Sequence, residues 1–434
     1  MFSSLFPGSA QPCGLKPAVG IGSLGFRRLL VAWSTSMVGD GVRVAALPLF
    51  VAVSTRDPLA VSAVAVAEVL PWLLIALPAG AVVDRFEPRW VVLSAHSMRA
   101  VVTLLLAAAV AIGSAGVGLL VLTAFVVTAA ETFADPASQR LLVHLAGPDD
   151  LDRGNGYFVS VETTAVDIVG PLIAAALFVW RPAACFALDG MSFVLAGIVI
   201  AGLPRCAPSA STDVGNLKVA RWLAGLVTEV GEGVGYLFRD RGLRVLVTSV
   251  LCAAVAVAAA NTVMALYAVQ VLGIAPALVP TLWVAMGLGT LVAARMVSPL
   301  TARWSDGAVM VTAMAALAAG FIVLGAVAWQ PIGWLGYALV GLGAGGWNVL
   351  SASRRQRLTT PSMMGRVTNS YRLLTWGLMP AGAALAGPVA KLTTLQTVYL
   401  LAGALLGVSV FVLARPLLTT GADPHATGDR TSIR

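Results

Sequence analysis

Charged side chains inside long apolar runs are the residues here whose types and spacing could do chemistry. Asp40 and Arg43 lie in the run 29–53, Glu68 in 59–83, Arg99 in 90–112, and Glu131 and Asp135 in 117–139. Glu162 and Asp167 follow in 155–179, and Asp189 near the start of 183–203. The later runs hold only Arg295 and Arg372, with Asn261, Gln270 and Asn348 as uncharged polar members, so the acids all fall in the first half. A charge in hydrocarbon is expensive, and each such residue marks a functional site by default. Asp40 and Arg43 are three apart and share a helix face. They form either an ion pair that orients the helix or a gate or proton-linked site. Glu68, in Ala65-Val66-Ala67-Glu68-Val69-Leu70-Pro71, has no charge nearby in sequence and suits reversible protonation; the alternative is an inert, hydrogen-bonded acid. Glu131 and Asp135 are i and i+4, close enough to share a proton. Asp135 precedes Pro136 near the end of its run, where solvation or an inner gate is the other reading. Glu162 lies between Asn155 and Asp167 and should be deeper than either end of its run.

Uncharged groups could complete a cavity. Trp33, Trp72, Tyr267, Trp347 and Trp376, with Asn261, Asn348 and Arg372, are its candidates, and Tyr157, Trp283 and Tyr371 are further large residues of this type. Interface anchoring and ordinary packing are the competing roles for each aromatic ring.

The elements that must position these residues are membrane helices. Only 11% of the 434 residues are charged and 58% are hydrophobic, with a mean hydropathy of +0.89. So few charges cannot cover a water-exposed surface, though a lipid-facing one needs none. A span needs roughly 20 apolar residues. Besides the five runs above and 183–203, six more fit, at 243–270, 276–298, 307–327, 331–352, 367–390 and 394–415. The fold class is therefore all-α integral membrane protein, with twelve transmembrane helices as two six-helix bundles. The segments are 1–28 before the first span, a bundle at 29–203, a linker at 204–242, a second bundle at 243–415, and a tail at 416–434 expected to be disordered. Within the linker, 214–238 mixes apolar and charged residues and reads as an amphipathic surface helix or a solvated connector.

Most of the 28 Lys and Arg residues fall on the side of the two termini, and only Arg56, Arg181 and Lys391 fall in the opposite loops. The bias places both termini in the cytoplasm and the protein in the plasma (inner) membrane. The basic residues are scattered singly, which argues against nucleic acid as a partner despite the net charge of +8. Cys13, Cys185, Cys206 and Cys252, and His96, His144 and His425, lack ligand spacing, so no metal or other cofactor is expected. Residues 1–20 show no cleavable signal, and the first span should remain in the mature chain.

The halves echo each other. Pro148, Leu151 and Arg153 before the fifth span match Pro361, Met364 and Arg366 before the eleventh at one constant offset. Phe26-Arg27-Arg28-Leu29 and Gly242-Leu243-Arg244-Val245 open the first and seventh spans at a similar distance. Weak repetition of this kind is what duplicated six-helix halves leave.

The loop Gly80-Ala81-Val82-Val83-Asp84-Arg85-Phe86-Glu87-Pro88-Arg89 resembles the signature loop of the major facilitator superfamily, with Glu87-Pro88 replacing its second glycine. That resemblance implies close helix packing at Gly80, and helix ends linked by Asp84, Arg85 and Arg89. The chain is similar, more narrowly, to the branch containing enterobactin and macrolide exporters. The motifs are Phe26-Arg27, Ser36-Met37-Val38-Gly39-Asp40-Gly41, Asp150-Leu151-Asp152-Arg153-Gly154-Asn155 and Met364-Gly365-Arg366-Val367. Gly170-Pro171 is similar to the end of the antiporter glycine-proline motif. The resemblance implies alternating-access export of a drug, siderophore or secondary metabolite by a protein that functions as a monomer. The membrane acids suit H+ as the coupling ion. The apolar second half favours a lipophilic or amphipathic substrate, with membrane lipids as the surrounding partners. A lipid transporter or a nutrient importer of the same fold is the alternative. A membrane-embedded enzyme is a distant one, since no nucleotide loop or nucleophile elbow is present.

Overall fold

Long apolar stretches become helices because a backbone without water must satisfy its own hydrogen bonds. Their ends are set by local chemistry. Ser23 accepts from the Phe26 amide, Asp57 from Leu59, Asp240 from Leu243 and Ser305 from Ala308. Each satisfies a donor that a helix start leaves open. The computed structural model describes residues 20–203, 230–360 and 363–419. Its first half contains α1 (Leu24–Thr55), α2 (Pro58–Leu74), α3 (Ala76–Arg85), α4 (Pro88–Ala111) and α5 (Val117–Ala146). It continues with α6 (Leu151–Thr164), a π-helical turn at Ala165–Val169, α7 (Gly170–Trp180) and α8 (Pro182–Ala201). The second half contains α9 (Arg241–Gln270), α10 (Thr281–Thr301), α11 (Asp306–Ala326), α12 (Gln330–Leu358), α13 (Met364–Leu392) and α14 (Leu395–Thr419).

Ten of these segments are long and apolar enough to cross a membrane, α6 and α7 counting as one with their π-turn. The second span is broken at Ile75 into α2 and α3, and the tenth, α12, is rich in glycine; with these two the total is twelve. Several ends differ from expectation. α5 runs through Pro136 to Ala146 instead of stopping near 139, because a proline costs only one intrahelical bond and neighbouring helices hold the segment. α12 likewise extends beyond 352 to Leu358, carrying Arg354, Arg355 and Arg357 on its last turns. The expected amphipathic helix falls partly outside the described residues. Within them, 230–239 is helical and packs on α13, with Glu232 2.8 Å from Arg366 and Leu237 fully buried. The 1–28 segment and the 416–434 tail are described only from Gly20 and up to Thr419.

Both described chain ends lie on one face, here the linker face. The Gly20 amide donates to Leu145 O at the end of α5, and Arg354 donates to Leu417 O at the end of α14. The loops 2–3, 4–5, 8–9 and 10–11 share this face.

Lipid offers helices no hydrophobic drive to associate, so close backbone approach has to supply the contact. Span 10 does this through glycine. A side chain at Gly341 would run into the backbone carbonyl of Met286 on α10, so the two helices meet main chain to main chain. Gly341→Leu is expected to force these backbones apart at a cost of about 1–3 kcal/mol or more. Size-exclusion chromatography of detergent extracts should show the monodisperse peak lost. Gly118→Ala, where nothing lies within 4 Å, should leave it intact.

Candidate functional site

Mid-span residues of five helices converge in the first half. Arg43 is the hub. Its guanidinium lies 3.1 Å from Asp40 on its own helix, 3.4 Å from Glu68 on α2, 3.7 Å from Glu131 on α5 and 3.6 Å from Asp189 on α8. Arg99 on α4 contacts the same Asp40 oxygen that Arg43 uses and lies 3.4 Å from Glu131. Its guanidinium also stacks over Phe193, 4.0 Å from the ring centroid, while His96 stacks on that ring at 5.8 Å. Two guanidiniums therefore meet four carboxylates. Arginine, with five donors in a planar fork, is suited to address several carboxylates at once.

The cluster has a sealed side and an open side. Asp40, Arg43, Arg99 and Asp189 are buried, whereas Glu68 and Glu131 each leave 22% of the side chain exposed. The two glutamates are the members that water can reach. Asp135, half-buried one turn from Glu131, extends the acidic surface. It sits within α5 rather than at a helix end. Glu162 is exposed on α6, within electrostatic range of Arg372 on α13, also exposed.

These last two residues lie on opposite halves. Contacts between the halves lie toward the face opposite the linker or at mid-depth. Gln270 donates to Arg56 O, Gly387 abuts Pro58 and Ser62, and Trp72 packs against Trp376 with centroids 5.5 Å apart. Gly287 on α10 meets Asp167, which is carried by the π-turn. Beside that turn the Gly170 backbone rests against the Gly41 backbone, so the glycine-proline step of span 5 serves close approach to α1 while the helix continues through it. Among the described residues α3 and α6, the linker-side parts of spans 2 and 5, pack within the first half. The halves thus diverge toward the linker face. The cleft this leaves lies on the linker side of the Trp72–Trp376 contact, and Glu68, Glu131, Asp135, Glu162, Asn348 and Arg372 are each at least partly exposed.

Several expected roles change. Glu68 is not isolated, because Arg43, 25 positions away in sequence, is its partner. Tyr267 is fully buried in the second half, its hydroxyl donating to Leu324 O, and does not line the cleft. Trp33 stacks on Phe158 at 4.7 Å and donates to its carbonyl, so it packs span 1 on span 5. Trp347 is buried and Asn261 half-buried. In the signature loop, Arg89 ties α4 to the end of α8 through Leu203 O (2.8 Å) and Ala201 O. Arg85 is exposed, and the side chain of Asp84 lies outside the described residues. Nothing described comes within 4 Å of a side chain placed at Gly80, so close packing is not its role among these residues. Asp189 was legible as an acid in an apolar run, but its membership of the cluster was not, since its partners lie on other helices.

An apolar hollow of about 660 Å³ lies apart from the acids, between α3, α4 and α5. Val82, Phe86, Trp90, Met98 and Phe133 line it. Among the described residues no group of three or more His, Cys, Asp or Glu side chains is placed to hold a metal ion.

Residues 29–384 match the family described as Major Facilitator Superfamily. The chain is 25% identical over 392 residues to the MFS-type transporter y4rN of Sinorhizobium fredii, covering 87% of this chain and 91% of that one. Among solved structures, the nucleoside transporter NupG aligns with a TM-score of 0.71 at 14% identity, over 90% of this chain and 98% of that one. A POT family transporter in complex with 5-aminolevulinic acid aligns with a TM-score of 0.72 at 12% identity, over 93% and 99%. A bacterial homologue of the human lysosomal transporter Spinster, inward-facing and unoccupied, gives 0.65 at 13% identity, over 92% and 98%.

Proposed function

Because the chain belongs to the Major Facilitator Superfamily and is thus a membrane transporter, we propose that it exports a lipophilic or amphipathic small molecule by proton-coupled alternating access. One observation carries this reading: four carboxylates from four spans surround Arg43, and two of them are partly exposed. A proton landing on Glu68 or Glu131 cancels one arm of the network and loosens a helix contact. Uptake of a proton is thereby linked to movement between packed elements.

Under this reading the linker face is cytoplasmic and the cleft opens inward, in keeping with the concentration of Lys and Arg on that side. The protein would sit in the plasma membrane and work as a monomer, with lipid tails against the apolar hollow on α3, α4 and α5. Substrate would enter between Glu162 and Arg372 and rest on Trp72 and Trp376. The likeness to enterobactin and macrolide exporters supports the outward direction. A wall of acids opposite an apolar second half supports an amphipathic cargo.

The test is transport into inverted membrane vesicles under an imposed pH gradient, using a lipophilic cation, a macrolide and a catecholate siderophore. Accumulation of one compound that collapses with an uncoupler is the expected result. Gradient-driven uptake only into right-side-out vesicles would reverse the direction and make the protein an importer. No gradient-dependent movement in either orientation would favour lipid transport.

Alternating access also requires the face opposite the linker to open. Arg56 and Gln270 are both exposed there, joined through the Arg56 carbonyl. Cysteines placed at both positions and joined by a short cleavable linker are expected to abolish transport, and cleavage should restore it. Full activity while cross-linked would show that this face never parts.

A further inference from the structure

The four carboxylates around Arg43 differ in a way that exposure and hydrogen bonding define. Glu68 and Glu131 keep some exposed surface, while Asp189 has none at all. Neither Asp189 oxygen accepts a hydrogen bond. The nearest cationic atom, Arg43 Nε, lies 3.6 Å from Oδ2 and itself donates no hydrogen bond. The titratable and charged groups around Asp189 are Asp40 and Arg43 on α1, His96 and Arg99 on α4, and Glu131 on α5. Asp189 approaches α1 closely because position 39 is glycine: a side chain there would begin 2.8 Å from Asp189 Oδ1. With four carboxylates against two guanidiniums, the cluster has two negative charges in excess if every acid is ionised. Water in the cleft can compensate the glutamates. Nothing comparable reaches Asp189, and a buried charge without a hydrogen-bonded partner neutralises itself by taking a proton.

We propose that Asp189 is a second proton site of this cluster, sealed in the present conformation and exchanging its proton only when Arg43 lets go of Glu68. The inference rests on the proton-coupled reading above and names the site that reading lacks. The exchange balances. A proton from cleft water binds a Glu68 oxygen, cancels its charge and frees the Arg43 nitrogen held there. Arg43 then compensates Asp189, whose O–H bond breaks while a new O–H bond forms on the unpartnered Oδ2 of Asp40. The cluster gains only the one proton that entered. Arg43 carries the message between an acid that sees the cleft and one that does not.

Infrared spectroscopy of the purified full-length chain in D2O tests this without a substrate or a gradient. The wild type is expected to show a carboxylic-acid carbonyl band that persists through the neutral range and exchanges slowly with deuterium. Asp189→Asn should remove it. Glu68→Gln, a fixed neutral stand-in for the protonated acid, should shift the same band, because Arg43 is then free to hold Asp189 ionised and the proton passes to Asp40. A merely structural Asp189 would not respond to a change on α2. An unchanged band in Asp189→Asn would overturn the proposal, and an unchanged band in Glu68→Gln would overturn the link through Arg43. Should Asp189→Asn fail to accumulate, Asp189→Glu keeps the carboxyl and must shift the band; an unmoved band is equally decisive. Since no gradient is applied, a failure here is separate from a failure of proton-driven transport in vesicles.

Discussion

Arg43→Met is expected to abolish gradient-driven transport and to lower the stability of the detergent-solubilised protein by roughly 3–5 kcal/mol, the usual cost of removing one partner from a buried ion pair. The methionine fills similar space but leaves Asp40 and Asp189 buried with Arg99 as the remaining guanidinium. Arg43→Lys separates charge from geometry. Its ammonium restores the positive charge, but as a point charge on a flexible stem it cannot face carboxylates on α1, α2, α5 and α8 together. Stability should recover in large part while transport stays well below wild type. The loss in Arg43→Met should also shrink as pH falls, because protonated carboxyls no longer need a counter-charge. Thermal melts at acid and neutral pH, run beside vesicle transport, measure both effects. Wild-type transport by Arg43→Met would remove the hub from the mechanism.

Much of the fold was legible because a span announces itself by length and hydropathy, and because single basic residues and Pro–Gly breaks mark its ends. The second span was read as one run, but Pro71 and Pro78 accompany a break at Ile75 that divides it into α2 and α3. Span 10 continues past its apolar window to Leu358, where Arg354 donates to Leu417 O and Arg357 pairs with Asp306 at 2.8 Å. The site was legible only along single helices. Asp40 and Arg43 could be paired because three positions define a helix face. The Arg43–Glu68, Arg99–Asp40 and Arg43–Asp189 pairs join different helices, and no local spacing encodes which faces meet. Aromatic residues misled for a related reason. Trp33 and Tyr267 have the composition of cavity residues, yet each spends its polar atom on a carbonyl of its own half, Phe158 and Leu324. Glu162 and Arg372 could be named singly, but only the fold brings them within electrostatic range of each other.

Glu68→Gln separates proton coupling from assembly most cleanly. Glutamine keeps the shape of the side chain and one carbonyl acceptor for Arg43, which already reaches Glu68 at 3.4 Å rather than at ideal hydrogen-bond length. Asp40, Glu131 and Asp189 continue to hold Arg43, so the helices should stay assembled and detergent extracts should elute as the wild type does. The charge that a proton would cancel is gone. Accumulation against a gradient should therefore fall to the level of empty vesicles, while exchange of labelled for unlabelled compound, which needs no net proton movement, should continue. Glu131→Gln should be more damaging to stability, because Glu131 pairs with both Arg43 and Arg99, whereas among the described residues Glu68 pairs with Arg43. That order distinguishes two architectures. If Glu68 carries the proton and Glu131 braces the guanidiniums, coupling and stability are lost in different variants. If both properties fall together in both variants, the two glutamates act as one shared acid, and coupling belongs to the pair.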